Sequence, residues 1–246
     1  MYRIPFLRKI LTDSNEKRNP GMFGYFLSRF NFYDAVIKNC IQNNEISTIV
    51  NLGAGMDSKA YCILGFEKIQ YFEVDHPTVI KRKKEKVKKI FGQLPNHVTY
   101  VEVDFSKQNT ELELRKAGYA FTSQTLFILE SVSTYLTQDE NDAIFRLVSK
   151  APPKSKIVFS YVSRDVISGH NLKHKSLLKM HKLFVKKHKI LIHGFEPHLI
   201  EDYLATYGLE TIKHIGAIEL KARNKNLEKM GLDIAEVERF ILAEVG

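Results

Sequence analysis

The sequence predicts an α/β fold, a doubly wound, mostly parallel sheet of seven strands with helices on both faces, and three observations carry that prediction. Short apolar and β-branched runs alternate with longer amphipathic stretches along most of the chain, the rhythm of strand–helix–strand units. The run Thr48-Ile49-Val50-Asn51-Leu52 is cut off by Gly53-Ala54-Gly55 and followed by a helix-like pattern over 56–64. Strand, glycine turn and helix make a nucleotide cradle, because glycine lets a ligand approach the backbone and a helix start offers unpaired N–H groups. A second run, Ile69-Gln70-Tyr71-Phe72-Glu73-Val74-Asp75, ends in acid 20 residues after Gly55. A carboxylate there can accept both hydroxyls of a ribose. A dinucleotide turn would add a third glycine, and that position holds Ser58.

Residues 1–20 are polar and close at Asn19-Pro20-Gly21, a turn signal, so they read as a loose arm or a lead-in helix. Over 22–42, Phe23, Phe26, Phe30, Tyr33, Ile37 and Ile41 recur at helical steps, with Arg29 inside the aromatic stripe. Pro77 suits the first turn of a helix over 78–91, whose inward face is expected to be Val79, Ile80, Val87, Ile90 and Phe91 and whose exposed face carries a lysine cluster. Strands follow at 98–104 and 125–130, both ending in acid, with a short helix at 107–116 between them. Thr137 caps a helix over 138–150, with Glu140 placed to complete a capping box. A fifth strand spans 156–162, a helix 198–207 and a sixth strand 209–214; 237–245 is compatible with helix or strand, and the strand reading is preferred because it closes a hairpin-like pair. The whole chain, 1–246, is read as one domain, with 1–42 as an N-terminal helical arm and 164–197 as a basic helical lid insertion.

The 44% hydrophobic and 26% charged content is that of a globular protein. No apolar run reaches the roughly 20 residues of a membrane span. The start lacks the h-region of a signal peptide, and Cys40 and Cys62 suit reduced core thiols, so a cytoplasmic location is expected. Net charge is +9, clustered over 81–89 and 173–189. These runs are read first as solvated helix faces; they lack the aromatic interleaving of a single-strand nucleic-acid platform.

Ligands of open α/β sheets bind beyond the carboxyl ends of the strands. Consecutive strands here end in Gly53-Ala54-Gly55, Asp75, Asp104-Phe105 and Glu130. Three carboxylates along one crevice repel an anionic pyrophosphate and call for hydrogen-bond donors. An adenosine joined to a cationic amino acid offers donors at the ribose, the adenine N6 and the α-amine, which favours S-adenosylmethionine over a dinucleotide.

The segments NLGAGMDSKAY at 51–61, YFEVDHP at 71–77, VEVDF at 101–105 and ILESVSTYL at 128–136 resemble the leucine carboxyl methyltransferase family. That resemblance runs from about Phe23 to Leu136, with weaker echoes in Phe195-Glu196-Pro197 and Glu238-Arg239-Phe240. It implies a Rossmann-like class I fold and S-adenosylmethionine-dependent O-methylation. It also implies roles. Arg29 pairs with the methionine carboxylate, Gly53 and Gly55 run under the amino-acid part, and Asp75 takes the ribose. Asp104 and Phe105 take the adenine, and Glu130 takes the α-amine. Tyr135 faces the methyl group or the substrate, with core packing as its alternative. The acceptor expected is a carboxylate or hydroxyl of a small molecule or peptide, an acidic one being suited to the lysines of the lid. If it is a phenol, His170, His174 or His181 is a candidate base. No His/Asp/Glu cluster has metal-ligand spacing. A nucleic-acid methyltransferase and a catalytically silent S-adenosylmethionine-binding protein are the alternatives, the first disfavoured because Glu130-Ser131-Val132-Ser133 is not an amino-methylating Asn/Asp-Pro-Pro-Tyr/Phe segment.

Overall fold

The computed structural model describes residues 16–63, 65, 68–223, 229–230 and 232–246. Most of the expected arm at 1–20 lies outside them. Seven strands form one sheet in the order β3-β2-β1-β4-β5-β7-β6. They are β1 (Thr48–Leu52), β2 (Gln70–Asp75), β3 (Val98–Glu102), β4 (Thr125–Leu129), β5 (Lys156–Tyr161), β6 (Leu209–Ile215) and β7 (Arg239–Val245). β1 to β5 run parallel, and β7 inserts antiparallel between β5 and β6. The strand order reverses between β1 and β4, the switch point at which open α/β sheets bind ligands. β1 and β4 are buried at every position, as central strands covered on both faces must be.

Helix α1 (Met22–Gln42) covers one face, and its inward residues are Tyr25, Ser28, Phe32, Tyr33, Val36, Ile37 and Cys40. Of the expected stripe, Tyr33 and Ile37 face inward, whereas Phe26 and Phe30 are exposed and Phe23 and Ile41 are half-buried. The two exposed rings are held instead by the Arg29 guanidinium, 5.1 and 5.2 Å from their centroids. The helix expected over 56–64 shrinks to α2 (Lys59–Cys62), because Met56 to Ser58 complete the turn after β1. Cys62 consequently sits exposed, whereas Cys40 is a buried thiol as expected.

Helix α3 (Pro77–Phe91) has proline at its first turn and buries Ile80, Lys83 and Val87. Ile90 and Phe91 are exposed, against the expectation that they face inward. Lys83 leaves the solvated lysine run altogether, its Nζ lying 2.7 Å from Glu73 Oε1 on β2. Helix α4 (Thr110–Lys116) follows β3, and α5 (Gln138–Val148) follows β4 with the Thr137–Glu140 capping box formed. The 164–197 region is only partly helical: α6 (Arg164–Ser168), α7 (Lys175–Met180) and a π-helical stretch (His181–Lys187) precede an irregular passage to α8 (Ile200–Ala205). α9 (Ala217–Arg223) follows β6. Among the described residues no helix is long and apolar enough to cross a membrane.

Candidate functional site

At the carboxyl ends of β1 and β4 lies a cavity of about 280 Å³, lined by Arg29, Phe30, Gly53, Gly55, Lys59 and Glu130 among others. Gly53 has φ +75°, and a Cβ there would meet Val132 Cγ2 at 2.4 Å, so only glycine fits beside the segment after β4. At Gly55, φ +47°, a Cβ would meet no atom closer than 3.9 Å. The space is left open for something else to approach the backbone.

Each acid at the sheet edge is held by a different donor set. Asp75 ends β2 and accepts from Gly55 N at 2.6 Å and from His76 N at 2.7 Å. Asp104 lies two residues beyond the end of β3, where the Ser106 hydroxyl and then Lys107 hold its carboxyl down to about 2. Phe105 beside it is half-buried against the core. Glu130 stands one residue past β4, with Lys59 Nζ 2.6 Å from Oε2 and Arg29 Nε 3.1 Å from Oε1. Burial raises the Glu130 carboxyl more than these two cations lower it. Burial alone would pull the Lys59 ammonium down, yet Asp57 and Glu130 outweigh it and hold it raised. Mutual repulsion among the acids is relieved by these protein donors.

Of the residues singled out in the sequence, Arg29, Gly53, Gly55 and Glu130 come together in the cavity wall. Asp75, Asp104 and Phe105 stand outside that wall, at the neighbouring strand ends. Tyr135 belongs to a 3-10 turn (Ser133–Tyr135) and is half-exposed. Burial raises its phenol, with Glu238 adding to the rise and Arg29 opposing it, so the hydroxyl lies in the field of the same cluster. Tyr135 is therefore not core packing. His170 and His174 are surface-proximal, and His181 is turned inward onto the Val166 carbonyl, 2.8 Å from its Nδ1.

Sequence reasoning missed the polar chain that fixes Arg29. Its NH1 donates to Ser131 Oγ at 2.8 Å and to Tyr25 OH at 3.1 Å. Buried Glu238 accepts from both of those hydroxyls, at 2.9 and 2.6 Å. On the other side Lys59 Nζ reaches Asp57 at 3.2 Å, and Asp57 is held by Asn51 at 3.1 Å. Ser131 takes φ +57°, a conformation costly for a non-glycine residue and one that aims its hydroxyl between Arg29 and Glu238. The only local signals were Glu238 inside a family-like echo and a lysine beginning an otherwise apolar short helix. Among the described residues no group of acids, histidines and cysteines can hold a metal ion.

Comparison with known proteins bears on this site. The model of the leucine carboxyl methyltransferase family matches residues 5–149, more than half of the chain. A candidate S-adenosyl-L-methionine-dependent methyltransferase of Bacillus subtilis, YktD, is 28% identical over 88% of this chain and 71% of its own length. Leucine carboxyl methyltransferase 1 of Rattus norvegicus is 25% identical over 60% of this chain and 52% of its own. The match covers 36% and 65% of the length of two mycobacterial relatives. Among solved structures, a DUF574-family protein from Streptomyces avermitilis superposes with a TM-score of 0.64 at 11% identity, over 97% of this chain and 90% of that one. A magnesium protoporphyrin IX methyltransferase from Synechocystis with bound S-adenosylhomocysteine gives 0.56 at 12% identity, over 89% and 84%. At such identities these two establish the fold alone.

Proposed function

Because this chain belongs to the leucine carboxyl methyltransferase family of S-adenosylmethionine-dependent methyltransferases, we propose that it methylates an oxygen, carboxylate or hydroxyl, on a small molecule or peptide. The observation that carries the reading is the charge arrangement at the end of the glycine turn. A methionine end is a zwitterion, and the cavity wall sets cations against carboxylates, Arg29 and Lys59 against Glu130 and Asp57, with Arg29 and Glu130 3.1 Å apart. The donor set therefore fits the group. Arg29 would take its carboxylate, Glu130 its α-amine, Asp75 its ribose, and Asp104 with Phe105 its adenine. Lys59 would balance Glu130 and Asp57, which otherwise add uncompensated negative charge.

S-adenosylmethionine, when bound, supplies an electrophilic methyl group on a sulfonium. This chain's residues contribute position and exclusion of water. Phe30 and Met56 expose apolar surface in the cavity wall, which supports an acceptor with an apolar body next to its oxygen. The basic 173–189 run supports an anionic one, and a carboxylate acceptor satisfies both while needing no general base.

Calorimetric titration with S-adenosylmethionine, S-adenosylhomocysteine and NAD tests the cofactor. Both adenosyl ligands are expected to bind and NAD is not; NAD binding alone overturns the reading. Transfer of labelled methyl to a panel of carboxylic acids and phenols tests the acceptor. Label released as methanol by mild base marks an ester, and base-stable label marks an ether.

A further inference from the structure

Two neighbouring residues of α1 serve different cavities. Arg29 faces the cofactor cavity, whereas Ser28 lines a second one of about 460 Å³ that shares no lining residue with the first. It lies between α1, α9 and the β6–β7 pair, walled by buried Phe32, Val36, Ile215 and Leu242. Its size is that of ligand pockets, which run to roughly 300–1,000 Å³.

Its polar groups are not those of a packing fault. Ser28 is 2% exposed, and its hydroxyl has no hydrogen-bond partner among the described residues. Folded interiors seldom leave a hydroxyl in that state. Lys156, also in the lining, is already matched by Glu45 at 3.0 Å and Glu244 at 3.1 Å. Lys213 and Arg223 are exposed at the rim and form no ion pair among the described residues. The uncommitted charge of the cavity is therefore positive, its walls are apolar, and one buried hydroxyl beside it is unpartnered among the described residues.

We propose that this cavity is a second ligand site, separate from the methyl-transfer site, for a small organic carboxylate with an apolar body. The body packs against Phe32, Val36 and Leu242, and the carboxylate meets Lys213 and Arg223. A bare anion gains nothing from the walls, and a neutral hydrocarbon gains nothing from the rim.

Octanoate, 1-octanol and acetate, titrated calorimetrically into protein held with saturating S-adenosylhomocysteine, test this. Octanoate is expected to bind saturably, about tenfold or more tighter than either control. Lys213→Glu with Arg223→Glu, both on exposed side chains, is expected to weaken octanoate by about tenfold or more and to leave S-adenosylhomocysteine binding unchanged. Ser28→Leu, which fills the cavity, is expected to abolish octanoate binding; should that variant not fold, the rim pair decides. Absence of saturable octanoate binding, indifference to the rim reversal, equal binding of octanol, or competition by S-adenosylhomocysteine overturns the proposal.

Discussion

Arg29 Nε lies 3.1 Å from Glu130 Oε1, joining the covering helix to the end of the fourth strand across the mouth of the glycine turn. The two charges neutralise one another where the proposed zwitterion would sit. A bound methionine end would insert its ammonium towards Glu130 and its carboxylate towards Arg29, so that neither side chain loses an ionic partner. Arg29→Ala is therefore expected to weaken S-adenosylhomocysteine by about 10- to 100-fold, the worth of charge-assisted hydrogen bonds. Adenosine, which lacks the amino acid, should bind the variant and the parent alike. Equal losses for both ligands in calorimetry would remove Arg29 from the methionine end.

Asp75 gives the complementary prediction. Its carboxylate already accepts from Gly55 N and His76 N, which leaves lone pairs for a ribose. Asp75→Ala should weaken adenosine and S-adenosylhomocysteine together, by about tenfold or more. A variant that keeps full adenosine affinity would place the ribose elsewhere.

The sheet was legible because β-branched runs, glycine and terminal acids are local signals, and the edge residues Gly53, Gly55, Asp75 and Glu130 followed from them. Lys83 was not legible as a buried residue among lysines, although Ile80, Lys83 and Val87 lie on one helical stripe facing Glu73. Periodicity marks the stripe; only the partner strand shows that a charge on it is matched. The Ser131–Glu238 bond spans 107 residues, so no window along the chain contains it. Phe26 and Phe30 misled for the converse reason: their spacing is that of a core face, and an arginine between them holds them at the surface.

Glu130 sets a pH dependence. Burial raises its carboxyl above the ordinary 4.5 despite Lys59 and Arg29. The folded protein thus binds this proton more tightly than the unfolded chain, so the stability it contributes is fully present below 4.5 and is lost as pH rises through the raised value. With Glu130 in its proposed role, cofactor affinity runs the other way, since the α-amine would need the ionised form. S-adenosylhomocysteine binding should weaken on acidification while still above 4.5, and Glu130→Gln should abolish that limb as well as lower affinity. Titrations across pH check both.

Tyr135 is predicted to donate and not to accept a proton. Burial and Glu238 raise its phenol above its usual value, so the hydroxyl stays protonated at neutral pH. Tyr135→Phe should cost at most about tenfold in kcat/KM with the acceptor found, one neutral hydrogen bond's worth. A flat pH profile in both proteins accompanies that outcome, and activity that rises with pH in the parent only would make Tyr135 a proton acceptor.

The Lys83–Glu73 pair offers the sharpest stability test, because both side chains are almost fully buried. Removing one partner of a buried pair strands the other charge, so Lys83→Met should destabilise by about 3–5 kcal/mol in urea unfolding. Burial already pushes the Glu73 carboxyl up to about 7, Lys83 only partly opposing it. Its contribution to stability is therefore full below 4.5 and lost as pH rises through about 7. Without Lys83 the carboxyl is held protonated still more strongly, so the variant's deficit should be larger at about pH 8 than at about pH 5. Glu73→Gln placed in the Lys83→Met background removes the stranded charge and keeps an acceptor for the Tyr61 hydroxyl, 2.9 Å away. It should recover most of the loss and flatten the pH dependence. A deficit independent of pH, unrelieved by Glu73→Gln, would mean that Lys83 contributes packing by its methylene stem and not charge.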